Sequence, residues 1–477
     1  MIKKLIDRIL NRKAPRAAVR NKPKSYRGSE HGVHIEDVSD AAMRTCQGLQ
    51  QAGFKAYVVG GGVRDLMLGL KPKDFDVATD ATPDQVRALF RRSRIIGRRF
   101  QIVHVMFGRE TIEVSTFRAI QDAAETDEHG RVLRDNVWGT QAEDAARRDF
   151  TINALYYDPV ADTILDYHNG VRDLEHKTLR MIGDPTSRFR EDPVRMLRVA
   201  RFTAKLGFKV EPKTRTPIRE LADLVHNVPA ARLFDEMLKL LLSGHAMACL
   251  QELRREGLHH GLLPMLDLIL EQPDDERFVT AALAATDARV RADKTTSPGF
   301  LFASLLWQPV RMRWQAGVAR GEHSIPALSA AIDSVLDEQA ERIAIQRRFI
   351  ADMREIWMMQ ARFERRTGRS PHTLVAHPRF RAAYDFLQLR CQSGEAPAEL
   401  GDWWSAFAAA DTDEREAMLA RAPKPAGGAA KKRRRRSGSR RGGPREGAAD
   451  GEAAEPRAGT ETPAGAQAPP AEPKPPA

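Results

Sequence analysis

The spacing of apolar residues changes along the chain. Up to about residue 120, short apolar runs with alternating polar positions predict β-strands separated by amphipathic helices. Ser39 is the expected N-cap of a helix over Asp40–Gln51, and Thr82 is the expected N-cap of a second helix. The strands are predicted in "KAYVVGG", "DFDVAT", Ile102–Phe107 and Thr111–Arg118.

From about Asp144 to about residue 420 the spacing is helical, apart from "NALYYDPVADTILDY", which predicts a hairpin that closes the first domain. Beyond Pro423 there is no Ile, Leu, Val, Met or aromatic residue. Such a segment cannot offset the entropy of ordering, so we expect it to be disordered. The fold class is therefore α+β: a small head with a mixed sheet and flanking helices, a long all-helical neck and body, and a basic C-terminal tail.

The net charge of +12 is unevenly distributed over the 477 residues. Residues 1–27 contain ten Lys or Arg and one acid, and residues 424–445 contain ten and no acid. Basic ends are expected of arms that contact a polyanion, and a role in solubility alone is the alternative. The three cysteines form no C-x-x-C pair, which argues against structural zinc and favours a reducing cytoplasm. No apolar stretch approaches the length that spans a bilayer, so we expect a cytoplasmic protein without an integral membrane segment.

Asp74 and Asp76 are the first candidates for chemistry. At positions i and i+2 of a strand, both carboxylates point to the same face, where they repel each other unless a cation lies between them. Mg²⁺ carrying substrate phosphates is the natural partner of such a pair, and two ions can support a phosphoryl transfer. Upstream, "GGGVRD" follows a strand, and adjacent glycines let backbone N–H groups approach a phosphate. Neither a Walker A motif nor a G-x-G-x-x-G fingerprint is present.

Three spaced motifs carry a family resemblance. "GGGVRD…KDFDVAT", "RRDFTINAL" and "REDPVRMLRVARFTAKLGF" resemble the motifs of class II template-independent nucleotidyltransferases, which comprise bacterial poly(A) polymerases and CCA-adding enzymes. The resemblance is continuous over about residues 55–210, and the helical remainder agrees only in layout. It implies a nucleotidyltransferase head over 35–175, between a basic arm at 1–34 and a helical neck at 176–245, then a helical RNA-binding body at 246–423 and the tail at 424–477.

The resemblance also implies roles for individual residues. Asp74 and Asp76 would hold two Mg²⁺ ions, with Mn²⁺ as a substitute, and ATP would be the substrate. Asp149 is the first choice for a third catalytic acid and Glu113 is the alternative. The remaining residues implied in nucleotide binding are Gly60, Gly61, Arg64, Asp65, Arg148, Asn153, Asp192, Arg195 and Arg198.

Asp192 and Arg195 have two possible roles. They stand at i and i+3 near a helix start, where a simple ion pair of about 0.2–0.5 kcal/mol is one explanation. In the resembled family, the pair presents an acceptor and a donor to the Watson–Crick edge of the incoming base. Arg198, one turn further on, would reach a phosphate or this pair.

The choice between poly(A) and CCA addition rests on "IIGRRFQIVHVMF", which resembles a stretch typical of bacterial poly(A) polymerases. It contains Arg98, Arg99 and His104, for which the sequence offers no physical account of adenine preference. We therefore expect AMP addition from ATP to RNA 3′ ends in mRNA processing and decay, by a monomer whose partners extend to RNA-decay proteins. The alternatives are a CCA-adding tRNA nucleotidyltransferase and a non-catalytic RNA-binding protein. The tail would grip RNA phosphates through Lys431, Lys432, Arg433, Arg434, Arg435, Arg436, Arg440 and Arg441.

Overall fold

The computed structural model describes residues 22–97, 101–119, 137–259, 276–340 and 344–421. The head is built on an eight-stranded sheet in the order β1-β8-β7-β2-β3-β6-β5-β4. The pairing of β3 with β6 is parallel and the other pairings in this sheet are antiparallel, so the sheet is mixed, as predicted. The strands are β1 (Lys24–Arg27), β2 (Ala56–Val59), β3 (Asp76–Thr79), β4 (Ser93–Ile96), β5 (Ile102–Phe107), β6 (Glu110–Thr116), β7 (Leu155–Asp158) and β8 (Thr163–Asp166).

The helix caps read from the sequence form as expected. The Ser39 side chain accepts a hydrogen bond from the N–H of Ala42, and Thr82 forms a capping box with Gln85. The predicted hairpin is β7 and β8, paired from Leu155 opposite Asp166. The head helices are α1 (Asp40–Gln51), α2 (Gly61–Met67), α3 (Pro83–Leu89), α4 (Gln141–Arg147) and α5 (Gly170–Glu175).

Four short strands have no clear signal in the sequence. β1 lies at one edge of the sheet, inside the range predicted as a basic arm, and β4 lies at the other edge. A separate parallel pair joins β9 (Thr178–Leu179) to β10 (Lys209–Val210). Runs of two to four residues at sheet edges show too few alternations for a period to be read.

Beyond the head, the described chain is helical apart from β9 and β10, in agreement with the predicted neck and body. A large hydrophobic core runs from the head sheet through the neck into the body helices. No helix in the described ranges is long and apolar enough to cross a membrane. The helices are α6 (Pro185–Glu191), α7 (Val194–Leu206), α8 (Pro212–Leu221), α9 (Ala230–Leu241), α10 (Ala246–Arg255), α11 (Glu276–Arg291), α12 (Pro298–Leu305), α13 (Trp307–Ala319), α14 (Ser324–Ala340), α15 (Arg347–Phe363), α16 (Ser370–Val375), α17 (Phe380–Gln392), α18 (Ala398–Ala409) and α19 (Thr412–Arg421).

Candidate active site

The turn that follows β2 forms one side of the candidate site. Gly60 has φ +72° and ψ −125°, backbone angles that glycine alone adopts readily. A Cβ at Gly60 would lie 3.3 Å from Nη1 of Arg148. Gly61 has more space, since a Cβ there would meet its nearest neighbour, Nη2 of Arg64, at 3.5 Å. The turn therefore requires glycine at the first of the two positions predicted to contact phosphate.

The paired aspartates lie at the start of β3. Phe75 is buried between Asp74 and Asp76, which are both exposed, so the two carboxylates share one side of the chain as predicted. In the parallel pairing of β3 with β6, Asp76 lies opposite Glu113. Asp74, Asp76 and Glu113 thus bring three carboxylates to one end of two neighbouring strands.

Negative charge is concentrated at this end of the sheet. The pKa of Asp76 is raised to about 6, first by loss of solvent around the carboxylate and then by the charges of Glu113 and Asp74, while Arg148 acts in the opposite direction. The carboxylate is nevertheless open to the surface on one side. Neither Asp74 nor Asp76 forms an ion pair with another side chain in the described part of the chain.

This donor set is compatible with Mg²⁺. Within the described ranges, no three His, Cys, Asp or Glu side chains are already grouped around one point as a preformed metal site. Mg²⁺ is commonly held by only one or two carboxylates, with substrate phosphates and water completing its shell. Asp74 and Asp76, which have no ion-pair partner in the described ranges, and Glu113 on the neighbouring strand meet that requirement.

Beside the carboxylates is a cleft of about 170 Å³ with a basic wall. Its acidic side is formed by Asp76 and Glu113, and its basic side includes Arg147 and Arg148 at the end of α4. A cleft with both charges can hold a phosphate chain against the arginines and a cation against the carboxylates. The lining residues are Val59, Asp76, Ile102, Glu113, Ser115, Arg118, Arg147 and Arg148.

Asp144 holds the basic wall in place. Its side chain is fully buried, and it accepts hydrogen bonds from the Tyr156 hydroxyl at 2.6 Å and from Nη2 of Arg148 at 3.1 Å. Arg147 donates to it as well, through Nε at 2.9 Å. Burial acts to raise the pKa of Asp144, but the two guanidinium groups and the Tyr156 hydroxyl outweigh it and hold the pKa at about 2.

Asp149, the first choice for the third acid, is engaged elsewhere. One carboxylate oxygen accepts from Nε of Arg198 at 2.7 Å, and the other accepts from Nδ2 of Asn153 at 3.1 Å and from the N–H of Phe150 at 2.8 Å. Burial acts to raise the pKa of Asp149, but Arg198 and these hydrogen bonds lower it. The acid that lies beside Asp76 in the sheet is Glu113, the alternative.

Arg64 is likewise part of an internal network. It is 4% exposed, and its Nη1 donates to Oδ1 of Asn153 at 2.6 Å. Nε of Arg64 donates to Asp65 at 2.8 Å, and Asp65 also lies 3.7 Å from Nζ of Lys205. The network joins α2 in the head to α7 in the neck. The contact of Arg64 with a triphosphate stays a prediction.

The predicted base-reading pair lies at the junction of α6 and α7. Oδ1 of Asp192 is buried and has no hydrogen-bond partner. Nε of Arg195 is 3.9 Å from Oδ2 of Asp192, too far for a hydrogen bond, while its Nη1 donates to the carbonyl oxygen of Arg188 at 2.7 Å. The i, i+3 ion pair between Asp192 and Arg195 is therefore long and carries no hydrogen bond, while Nη1 of Arg195 also donates to Oε2 of Glu191 at 3.1 Å.

Two groups of predicted residues remain. His104 on β5 lies opposite Glu113, with 3.4 Å between Nε2 and Oε1 of the glutamate. Arg98, Arg99 and the eight basic tail residues from Lys431 to Arg441 lie outside the described residues.

The sequence did not single out three residues that shape the site. Asp144 and Tyr156 support the basic wall, and Arg188 donates through Nη2 to the carbonyl oxygens of Arg147 and Arg148 at 2.5 and 2.7 Å. Asp144 had a usable signal, since it stands three and four residues before two arginines on a predicted helix. The other two depend on contacts between distant segments and have no local signal.

A glycine turn after one strand, paired aspartates at the next strand and an arginine wall between them define a nucleotidyltransferase head. Comparison with known proteins agrees. The chain resembles a crystal structure of the Bacillus stearothermophilus CCA-adding enzyme in complex with CTP, with a TM-score of 0.50 and 25% identity over 77% of this chain and 82% of that one.

The chain belongs to the poly(A) polymerase family. The family described as poly A polymerase head domain matches residues 56–180, the probable RNA and SrmB-binding site of polymerase A matches 207–270, and the polymerase A arginine-rich C-terminus matches 320–441. Poly(A) polymerase I of Salmonella typhi is 44% identical over 82% of this chain and 87% of its own length. The corresponding protein of Haemophilus influenzae is 43% identical over 84% and 92%. A CCA-adding enzyme of Lactobacillus helveticus is 40% identical, but over only 46% of this chain and 53% of its own length.

Proposed function

We propose that this protein is a polynucleotide adenylyltransferase that transfers AMP from ATP to RNA 3′ ends without a template and releases pyrophosphate. The observation that carries the proposal is the extent of the similarity. Relatives named poly(A) polymerase I match over more than four fifths of the chain, whereas the CCA-adding relative matches over less than half. The sequence similarity to poly(A) polymerases thus extends into the helical body, whereas that to the CCA-adding relative covers less than half of the chain.

The metal ligands in this proposal are Asp74, Asp76 and Glu113. When bound, two Mg²⁺ ions would neutralise the triphosphate and favour the ionised RNA 3′-hydroxyl, and Mn²⁺ would substitute. Glu113 replaces Asp149 as the preferred third acid, because it lies opposite Asp76 in the sheet. Both oxygens of Asp149 already accept hydrogen bonds, and that residue instead orients Asn153 and Arg198.

The nucleotide would lie along the cleft. Arg147 and Arg148 line it beside Asp76, and Gly60 allows close approach of the backbone. Preorganised guanidinium groups aimed at phosphate oxygens stabilise the charge that moves onto the leaving pyrophosphate. The 3′-oxygen attacks the α-phosphorus, the bond to the bridging oxygen breaks, and pyrophosphate leaves.

Asp192 and Arg195 would read the base. The free Oδ1 of Asp192 is an acceptor for the exocyclic amino group of adenine, and Arg195 carries further N–H groups for the ring nitrogen beside it. Arg198, which is held by Asp149, fixes the next turn of the same helix.

The proposed domain organisation follows the division of the chain predicted from the sequence. We propose a basic arm that precedes β1, a catalytic head that includes β1 and ends at about 175, a neck at 176–245, an RNA-binding body at 246–423 and a basic tail at 424–477 that adds phosphate contacts. The match of residues 207–270 to an RNA-binding family supports RNA as the partner. A monomeric state, a cytoplasmic location and association with RNA-decay proteins are further expectations of the proposal.

The catalytic part of this proposal is tested with Asp76→Ala in the full chain. AMP incorporation into a generic RNA should fall to background, while RNA affinity in a filter-binding assay stays within about twofold, since Asp76 is assigned to metal and not to RNA. The matched control is Asp84→Ala, at an exposed carboxylate on α3 that is 3.7 Å from Arg87. Activity retained by Asp76→Ala would remove the metal assignment and favour a non-catalytic RNA-binding protein.

A further inference from the structure

The carboxylate of Asp192 is held by a residue of another helix. Arg232, near the start of α9, donates from Nη2 to Oδ2 of Asp192 at 2.7 Å, across 40 residues of sequence. Arg232 is about half exposed, with 54% of its side chain accessible, whereas the side chain of Asp192 is 18% accessible. The side chain that Arg232 binds is therefore Asp192, which we assign to recognition of the base, and not a residue of the hydrophobic core.

The two oxygens of Asp192 have different environments. Oδ2 is occupied by Arg232, and Oδ1 is buried without a hydrogen-bond partner. An unpaired buried oxygen is costly unless a ligand satisfies it, and an ionised carboxylate oxygen can only accept. Arg232 thus fixes which oxygen is offered and in which direction.

We propose that Arg232 is a positioning residue for base selection, a proposal that rests on the assignment of Asp192 and Arg195 as the base reader. An acceptor beside a donor fits a base whose edge carries an amino group beside an unprotonated ring nitrogen, as adenine and cytosine do. Guanine and uracil present the reverse, a carbonyl beside an N–H. A fixed acceptor would reject them strongly, since a mismatch leaves buried polar groups unpaired.

Without Arg232, the base-reading residues Asp192 and Arg195 would lose this fixed arrangement. Nε of Arg195 is 3.9 Å from Oδ2 of Asp192 in a long i, i+3 ion pair, and a small rotation of the freed carboxylate would shorten this pair to hydrogen-bond distance. That pair would occupy both base-reading groups at once. Glu191 and the carbonyl oxygen of Arg188 hold Nη1 of Arg195. Arg232 holds the other member of the pair, and so keeps the Asp192 carboxylate from turning towards Arg195.

The test compares Arg232→Ala, Arg232→Gln, Asp192→Asn and the double variant Asp192→Asn with Arg232→Ala, in full-length protein on a generic RNA primer. For Arg232→Ala we expect KM for ATP to rise about tenfold, with kcat within about twofold, and the preference for ATP over GTP to fall by a similar factor. Arg232→Gln keeps one N–H donor and should restore part of the preference. If the alanine variant folds poorly, Arg232→Gln provides the measurement of nucleotide preference in its place. The control Arg313→Ala removes an exposed arginine that pairs with Glu338 in the body, and should leave all three parameters unchanged.

The double variant distinguishes the positioning role of Arg232 from the assignment of Asp192 and Arg195 as the base-reading residues. If Arg232 acts through Asp192, removing it in the Asp192→Asn background should change nucleotide preference little further. An additive effect of Arg232→Ala in that background, or an unchanged preference in Arg232→Ala while Asp192→Asn loses it, would overturn the positioning role alone. An Asp192→Asn variant with wild-type preference would overturn the base-reader assignment and the positioning role with it.

Discussion

Substitution of the buried Asp144 should strongly lower the free energy of unfolding of the head. It is fully buried and satisfies Arg147, Arg148 and the Tyr156 hydroxyl together. Asp144→Asn keeps the side-chain size but leaves the arginines without their counter-charge. Breaking a buried pair by neutralising one partner costs about 3–5 kcal/mol, so we expect a loss of that size in the free energy of unfolding of the head near neutral pH.

The pH dependence of the free energy of unfolding gives a second, independent estimate of what the Asp144 carboxylate contributes. The folded pKa of Asp144, about 2, is below its ordinary value of 3.8, so its contribution is present above about pH 4 and is lost as the pH falls towards 2. At 1.36 kcal/mol for each pKa unit, the full contribution is about 2 kcal/mol, of which about half is lost by about pH 3. Asparagine does not titrate. The stability gap between wild type and Asp144→Asn should therefore narrow by about 1 kcal/mol between about pH 7 and about pH 3.

Urea unfolding followed by far-UV circular dichroism at the two pH values measures both quantities. Peptide-resolved hydrogen exchange near neutral pH assigns the transition that moves, with body peptides from α13 and α14 as the internal control. A loss below about 1 kcal/mol near neutral pH would refute the buried-pair reasoning. A gap that is constant with pH would refute the depressed pKa.

Three further predictions concern the metal, the turn and the tail. Glu113→Gln should raise the Mg²⁺ concentration needed for half-maximal AMP incorporation, whereas Asp149→Asn should leave that requirement unchanged; the reverse result would return the third acid to Asp149. Gly60→Ala should destabilise the head by about 1–3 kcal/mol in urea unfolding because of its positive φ, and equal costs for Gly60→Ala and Gly61→Ala would contradict this. Deleting 424–477 should weaken RNA binding and flatten the plot of log affinity against log salt, while deleting only the acidic end, 446–477, should leave the slope unchanged; equal slopes in all three proteins would exclude the tail as an RNA contact.

Local signals in the sequence were sufficient for much of the head. The caps at Ser39 and Thr82, the β7–β8 hairpin and the shared face of Asp74 and Asp76 each depend on residues a few positions apart. The mixed sheet and the helical body were predicted and are confirmed. Edge strands such as β1 were not predicted, because pairing with a distant strand, and not its own pattern, makes it a strand.

The chemistry of the site depended more on distant contacts. The resemblance placed Asp149 before Glu113 as the third acid. The contacts that favour Glu113 have no local signal, since only the sheet register puts Glu113 opposite Asp76 and only the fold joins Asp149 to Arg198. Arg232 shows the same limit: 40 residues separate it from Asp192, and no local period connects them. Motif residues were identifiable, but the partners that orient them were not.

The claim that matters most is the reaction itself, and its most direct test is the product made from each nucleotide. The full-length protein is incubated with Mg²⁺ and each of the four nucleotides separately, and also with CTP and ATP together, on a generic RNA and on a tRNA that lacks its CCA end. We predict a long ladder of AMP additions to the generic RNA with ATP, and little extension with GTP or UTP. Extension that is confined to the tRNA and stops after two C and one A would contradict it and show a CCA-adding enzyme.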